Sequence, residues 1–187
     1  MAEKAKPARA GWDLKRGYDA AAKWTPMPDW KRASIVRSSW TAQTVFGLRQ
    51  LLLSGDLDAA RAALVPEAAM TGLWEIAEGD AMIRIARDRA LLATARPVAA
   101  TPGWNSGGWA ASPADDAWAV FELSGESARA VCAQGTAADL EAGSRSATLL
   151  FAGVACLLYR TEPEIARLHV ERGFAPYIWR WLETLEG

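Results

Sequence analysis

The order of short elements in the last 73 residues constrains the fold most. Residues 118–123 predict a strand, followed by a helix of about ten residues with Ser124 as its N-cap and Gly135 as its stop. Two strands then turn at Ala152-Gly153, and an alternating strand and a final helix over 174–185 follow. This order predicts an antiparallel α+β layer with its helices on one face.

The preceding part of the chain predicts a second small lobe of the same class. An alanine-rich helix from Asp56 to about Leu64 has acidic residues in its first turn. Five short segments rich in β-branched, aromatic or aliphatic residues predict strands, the last three as a meander: 34–40, 43–49, 72–76, 81–86 and 90–94. The predicted fold class is therefore α+β, with two small antiparallel-sheet lobes.

Composition divides the chain into four segments. We predict a basic, tryptophan-rich arm over 1–32, a first lobe over 33–96, a Gly/Pro loop over 97–114 and a second lobe over 115–187. The loop contains two tryptophans that either cover the core or form a contact patch, Trp104 and Trp109.

Most catalytic and metal chemistry is excluded by the residue inventory. The chain has one histidine and two cysteines, whereas a zinc site needs three or four nitrogen or sulfur ligands. No glycine-rich phosphate loop is present, and Asp115-Asp116 is expected to end a loop. Cys132 and Cys156 are expected to be small buried hydrophobes. We predict no catalytic, cofactor-binding or metal residues in this chain.

The arm differs in charge from the rest of the chain. Residues 1–32 carry eight basic and four acidic residues, including all five lysines, whereas the remainder is net acidic. The arm also contains Trp12, Trp24 and Trp30, which we expect to anchor on a partner surface. Two alternatives remain, in which these rings fold back on the chain's own body or the arm binds nucleic acid. The acidic body disfavours nucleic acid because it repels phosphate.

Four further residues are candidates for a partner interface. Alternation over 164–170 places Arg167 and His169 on the more polar face of a strand, where a histidine is expected at the surface or an interface. Tyr177 and Trp179 lie on either side of the apolar stripe of the last helix, where they border the core or touch a partner.

The predicted location is the cytoplasm. The first residues lack the apolar segment of a secretory signal, and the longest apolar run, 147–159, is too short to span a bilayer. Two lone cysteines are typical of a reducing compartment. We therefore predict no membrane partner.

A series of motifs resembles the gamma subunit of heterotetrameric sarcosine oxidase. In the second lobe these are Asp116-Ala-Trp-Ala-Val-Phe-Glu-Leu-Ser-Gly125, Ala128-Arg129, Gly135-Thr-Ala-Ala-Asp139-Leu140, Gly143-Ser-Arg-Ser-Ala147-Thr148, Val170-Glu-Arg172-Gly-Phe174-Ala175 and Ile178-Trp179-Arg-Trp181-Leu182. In the first lobe they are Thr41-Ala-Gln-Thr-Val-Phe-Gly-Leu-Arg49 and Ile85-Ala-Arg-Asp88-Arg89-Ala-Leu91-Leu92. The resemblance spans residues 35–185 and is that of a diverged member, with Thr136 where the family has cysteine.

The resemblance implies a fold similar to the folate-binding aminomethyltransferases, used as a small subunit without a cofactor. Alpha-, beta- and delta-type subunits of the same complex would be its partners and would carry FAD, FMN, NAD and tetrahydrofolate. Such complexes, which include N-methylglutamate dehydrogenase, oxidise an N-methyl group to a one-carbon unit that tetrahydrofolate accepts. The alternative is an independent folate-binding or aminomethyltransferase-like protein, for which Glu122 and Asp139 are the candidate pterin-binding carboxylates.

Overall fold

The computed structural model describes residues 28–186. In its first half the elements are β1 (Ser34–Val36), β2 (Thr41–Val45), β3 (Arg49–Gly55), α1 (Leu57–Leu64), β4 (Met70–Thr71), β5 (Ala81–Ala86), β6 (Arg89–Thr94), β7 (Gly103–Asn105) and β8 (Trp109–Pro113). In its second half they are β9 (Trp118–Ser124), α2 (Ala128–Gly135), β10 (Thr148–Phe151), β11 (Val154–Glu162), β12 (Ile165–Glu171) and α3 (Ala175–Glu183), with a 3₁₀ turn, Arg172–Phe174, before α3.

The strands form two six-stranded sheets. Sheet I has the order β1-β2-β9-β12-β11-β10, and sheet II has the order β4-β5-β6-β3-β8-β7. Every pairing is antiparallel except that of β4 with β5. Together with the three short helices of residues 28–186, these sheets confirm the predicted α+β class.

Alternating side chains build four layers from these elements. In β11, Cys156 and Leu158 pack with α2 and α3, whereas Leu157 and Tyr159 point the other way, towards sheet II. In sheet II, Ile83 on β5 points into the layer between the two sheets. The preceding residue, Met82, points the other way and packs in the core beneath α1. The order is therefore helices, sheet I, sheet II, helix, with a core in each of the three gaps.

The two sheets do not coincide with the two predicted lobes, which were divided by a loop over residues 97–114. β2 lies in the predicted first lobe, but it pairs with β9, so that Thr44 lies opposite Phe121 in sheet I. The predicted loop over 97–114 is wrong in its second part, where β7 and β8 form a hairpin that pairs with β3 of sheet II. Trp109 and Ala111 alternate inward along β8, and this burial outweighs the Gly/Pro composition of the segment.

Trp104 and Trp109 have opposite environments. Trp109 is buried in the core beneath α1, whereas the side chain of Trp104 on β7 is 73% exposed. One tryptophan therefore covers the core, and the other is available for a contact.

Two other local predictions are corrected. Residues 72–76 are not a strand: Trp74 has φ of 62°, and the β-bridges that the segment forms, at Leu73 and Ile76, are isolated ones. Ser124 is not the N-cap of α2, because it is the last residue of β9. A sharp turn at Gly125, with φ of 111°, delays the start of that helix. The predicted start of α1 is confirmed, since the Asp56 carboxylate accepts a hydrogen bond from the Ala59 amide at 2.9 Å.

Candidate binding cleft and interface residues

A cleft of about 380 Å³ opens where the two sheets meet. It is built from the end of β2, the start of β3, the connection from β8 into β9, and the junction of β12 with α3. Three aromatic rings line it, those of Trp30, Phe46 and Trp118. Its size and largely apolar walls are typical of sites that bind small molecules or single side chains of a partner.

One side of the cleft carries two charged residues, Asp115 and Arg172. The Asp115 carboxylate accepts a hydrogen bond from the Gln50 amide at 2.6 Å and lies 3.6 Å from the Arg49 guanidinium. Arg172 donates through Nη1 to Asp116 at 3.0 Å. The predicted loop position of Asp115-Asp116 is correct, and two carboxylates that are adjacent in sequence thus have different arginine partners.

Trp30 forms the other wall and belongs largely to the core of this chain. Its ring centroid lies 5.9 Å from those of both Phe121 and Trp179. The Thr44 hydroxyl donates to the Trp30 carbonyl and fixes the segment that enters the fold. At Trp30 the structure therefore matches the alternative in which the arm folds back on the body. A contact of its exposed part with a partner stays a prediction, and Trp12 and Trp24 lie outside the described residues.

His169 is fully buried, so the prediction of a surface or interface histidine is wrong. Sheet II covers the face of β12 that alternation assigned to solvent. His169 lies between the Tyr159 hydroxyl, 3.3 Å from Nε2, and Oε1 of Gln50, 3.1 Å from Nδ1. Gln50 also donates through its side-chain amide to the Trp118 carbonyl at 3.2 Å, which fixes the orientation of the amide.

This orientation determines the tautomer of His169. Because Oε1 of Gln50 can only accept, Nδ1 must donate, and Nε2 then accepts from the Tyr159 hydroxyl. Burial, together with the nearby charge of Arg167, lowers the pKa of His169 to about 3. The imidazole is therefore neutral at physiological pH, and both ring nitrogens have a structural role.

The other three predicted interface residues have different environments. Of the two alternatives for Trp179, the structure matches contact with the core rather than with a partner, because this side chain is buried between sheet I and α3. Arg167 is half-buried and pairs with Glu122 at 3.2 Å. Tyr177 is 51% exposed and donates its hydroxyl to the Ala152 carbonyl at 2.9 Å. For Arg167 and Tyr177, a role in a partner interface stays a prediction.

The two carboxylates considered for pterin binding lie outside the cleft. Glu122 accepts hydrogen bonds from Gln43 and Arg167 on the surface of sheet I. Asp139 caps the turn after α2 by accepting from the amides of Glu141 and Ala142. The carboxylate that does line the cleft, Asp115, was expected only to end a loop.

A second, open groove of about 690 Å³ lies beside the segment that contains Trp74. The Arg160 guanidinium lies over the Trp74 ring, 5.3 Å from its centroid, and donates to the Trp74 carbonyl at 2.9 Å. Arg129, also on the rim, pairs with Glu141 at 2.5 Å. These contacts neutralise part of the groove's charge and stabilise the left-handed conformation at Trp74.

Both cysteines are buried, as predicted. Burial raises the pKa of the Cys132 thiol to about 12, and burial together with the charge of Glu171 raises that of Cys156 to about 12. Within residues 28–186, no group of three His, Cys, Asp or Glu side chains is placed to hold a metal ion. In the same part of the chain, no helix is long and apolar enough to cross a membrane.

Comparison with known proteins identifies a structural relative. No protein-family model and no curated protein matches the sequence. The fold matches that of a chain in heterotetrameric sarcosine oxidase from Corynebacterium sp. U-96, solved in complex with pyrrole 2-carboxylate. The TM-score is 0.61, and the alignment covers 82% of this chain and 90% of that chain at 21% sequence identity. The two chains share a fold.

Apart from Trp30, sequence reasoning did not single out the residues that line the cleft. Gln50, Arg172 and the pair Asp115 and Trp118 come from three separate segments, so no single motif groups them. The available signal was the placement of tryptophans next to predicted strand ends together with the adjacent aspartates. These features alone do not indicate that the segments meet.

Proposed function

We propose that this chain is a non-catalytic, gamma-type subunit of a multi-subunit, flavin-dependent N-methylamine oxidoreductase. The observation that carries the proposal is the fold shared with a chain of a heterotetrameric sarcosine oxidase over 82% of one chain and 90% of the other. Such extensive coverage fits a subunit of similar size and architecture. The motifs that resemble the gamma subunit support the finer assignment.

The environments of the reactive side chains support a structural role. His169, the single histidine, is neutral, buried and engaged at both ring nitrogens. Cys132 and Cys156 are buried with raised thiol pKa values, so neither provides an available nucleophile at neutral pH. The side chains that the sequence offered for covalent or acid–base chemistry therefore stabilise the fold.

In this proposal the chemistry belongs to the partners. Alpha-, beta- and delta-type subunits carry FAD, FMN, NAD and tetrahydrofolate in the cytoplasm. The complex demethylates a secondary amine and transfers the one-carbon unit to tetrahydrofolate. This chain provides interfaces that hold the complex together, and its arm, with Trp12 and Trp24, adds contacts to a partner.

Exposed aromatic side chains provide candidate anchors for assembly. Four of them are each about half exposed or more: Phe46 after β2, Trp104 on β7, Phe174 in the 3₁₀ turn and Tyr177 on α3. Large rings of this kind dominate binding energy when a partner buries them. Tyr177 is the best single test because its ring is exposed on a well-formed helix.

Coexpression with the products of neighbouring genes tests the proposal. We expect a stoichiometric complex on size exclusion, and we expect Tyr177→Ala to weaken assembly more than Val36→Ala, a matched truncation of another exposed side chain on β1. A well-folded monomer that binds none of the neighbouring products would contradict the subunit assignment. Equal behaviour of the two variants within an intact complex would exclude Tyr177 as an anchor.

A further inference from the structure

We propose that the cleft between the sheets binds a free α-amino acid with an aromatic side chain. The ammonium group would be held by Asp115, the carboxylate by Arg172, and the ring would lie against the aromatic wall of the cleft. All three features belong to this chain, so the site does not depend on assembly with other subunits.

The apolar part of the cleft suits one aromatic ring. Its volume of about 380 Å³ lies within the range of small-molecule sites. Trp30 and Trp118 line it, and Phe46 remains 57% exposed at its edge despite its size. A ring bound here would cover the exposed face of Phe46 and gain offset or edge-to-face contacts with its neighbours.

Asp115 provides the negatively charged group that would bind the ammonium group of the ligand. One carboxylate oxygen accepts from the Gln50 amide at 2.6 Å, which fixes the side chain in the wall of the cleft. The nearest cation to its other oxygen is Arg49 at 3.6 Å, beyond the distance of a tight charge-assisted hydrogen bond. The Asp115 side chain is 34% exposed and lines the cleft, so an ammonium group that enters the cleft can reach it.

Arg172 provides the positive end next to it. The Arg172 amide donates to the Ala117 carbonyl at 2.9 Å, which holds the residue against the turn that carries Asp115. Its side chain donates to Asp116 through Nη1 alone among the described residues, so other donors of the guanidinium are available. Asp115 and Arg172 both line the cleft, so a cation-binding and an anion-binding group border the same space, as the two charges of an amino acid require.

This charge balance favours a zwitterion over a ligand with one charge. A simple amine would leave the remaining donors of Arg172 without an acceptor from the ligand, and a simple acid would place a second negative charge beside Asp115. Covering these donors without an acceptor, or bringing two like charges together, costs binding free energy. The start of α3, where Ala175 lines the cleft, adds a favourable partial positive charge near the carboxylate position.

Isothermal titration of the purified full chain with L-phenylalanine tests the proposal. We expect saturable binding of L-phenylalanine. Binding should be at least about tenfold weaker for 2-phenylethylamine, which lacks the carboxylate, and for 3-phenylpropanoate, which lacks the ammonium group. L-alanine, which lacks the ring, should bind little. Equal affinity for either singly charged analogue, or no saturation by L-phenylalanine at about 10 mM, would overturn the proposal. Saturable binding of tetrahydrofolate without binding of L-phenylalanine would assign the cleft to another ligand class.

A pair of variants locates the site. Asp115→Asn keeps the oxygen that accepts from Gln50 but removes the charge, and we expect it to weaken binding of L-phenylalanine at least about tenfold. Asp116→Asn removes the same charge one residue away and should leave binding unchanged or tighter, because it frees Arg172. Thermal melts establish that both variants are folded. Equal weakening by the two variants would show that only overall charge matters and would overturn the assignment of Asp115.

Discussion

His169 Nδ1 donates a hydrogen bond to Oε1 of Gln50 at 3.1 Å, and this contact links sheet I to sheet II across 119 positions of sequence. The Tyr159 hydroxyl and the Trp118 carbonyl complete the network, so each polar group in it has a partner. A buried network of this kind stabilises one relative placement of the two sheets, because any shift leaves a buried polar group unpaired.

The first prediction concerns the pH dependence of stability. Because the pKa of His169 is about 3 in the folded chain and near 6.5 when unfolded, only the unfolded state takes up this proton between those values. Stability is therefore complete above pH 6.5 and decreases as the pH falls towards 3, by about 2 kcal/mol between pH 7 and pH 5. Urea unfolding at several pH values measures this, and His169→Gln should flatten the profile above pH 5. An equally steep profile in the variant would assign the effect to other groups.

The second prediction concerns the partner of that histidine. Gln50→Leu leaves His169 Nδ1 and the Trp118 carbonyl without partners in a buried layer, and we expect a loss of about 1–3 kcal/mol in the free energy of unfolding. Gln43→Leu is the matched control, because Gln43 is exposed and, among residues 28–186, its side chain bonds only to Glu122. Denaturant titration compares the two, and similar losses would argue against the proposed importance of the buried network.

The third prediction separates Trp30 from the rest of the arm. Trp30→Ala removes contacts with Phe121 and Trp179, and we expect a loss of about 2 kcal/mol because the ring is only partly buried. Deletion of residues 1–27 retains Trp30 and should leave the melting temperature within a few degrees while weakening assembly. Calorimetry and size exclusion provide the two readouts. A large loss of intrinsic stability on deletion would mean that the arm's other tryptophans also serve the chain's own core.

The fourth prediction concerns the end of α2. A β-carbon on Gly135 would lie 2.5 Å from the Phe151 ring, so Gly135→Ala should cost about 1–3 kcal/mol through overpacking. Gly173→Ala is the control, since a β-carbon there would meet no atom within 4 Å. Chemical denaturation distinguishes the two, and an unchanged midpoint for Gly135→Ala would show that Phe151 moves aside without penalty.

The fifth prediction concerns thiol reactivity. With thiol pKa values of about 12, Cys132 and Cys156 have a thiolate fraction of about one part in ten thousand at pH 8. We expect no reaction of the native chain with Ellman's reagent on the timescale in which the unfolded chain releases two equivalents. Rapid labelling of the native chain would show that one of the two sites opens readily to solvent.

Local sequence determined much of the secondary structure. The turn at Ala152-Gly153 between β10 and β11 and the capped start of α1 at Asp56 depend on residues a few positions apart, and both are as predicted. The alternation of β12 was also predicted, with Arg167 and His169 on the same face of the strand. These features, and the α+β class with them, follow from hydrophobic periodicity and the conformational preferences of glycine and aspartate.

Tertiary structure decided which segments meet. Three features join residues that are distant in sequence. They are the pairing of β2 with β9, the covering of the His169 face by sheet II, and the meeting of Asp115 and Arg172 at the cleft. Alternation separates the two faces of a strand, but it does not indicate whether solvent or a second sheet covers the more polar face. That outcome depends on the combined burial of both sheets, so the buried histidine network and the cleft beside it emerged only from the folded chain.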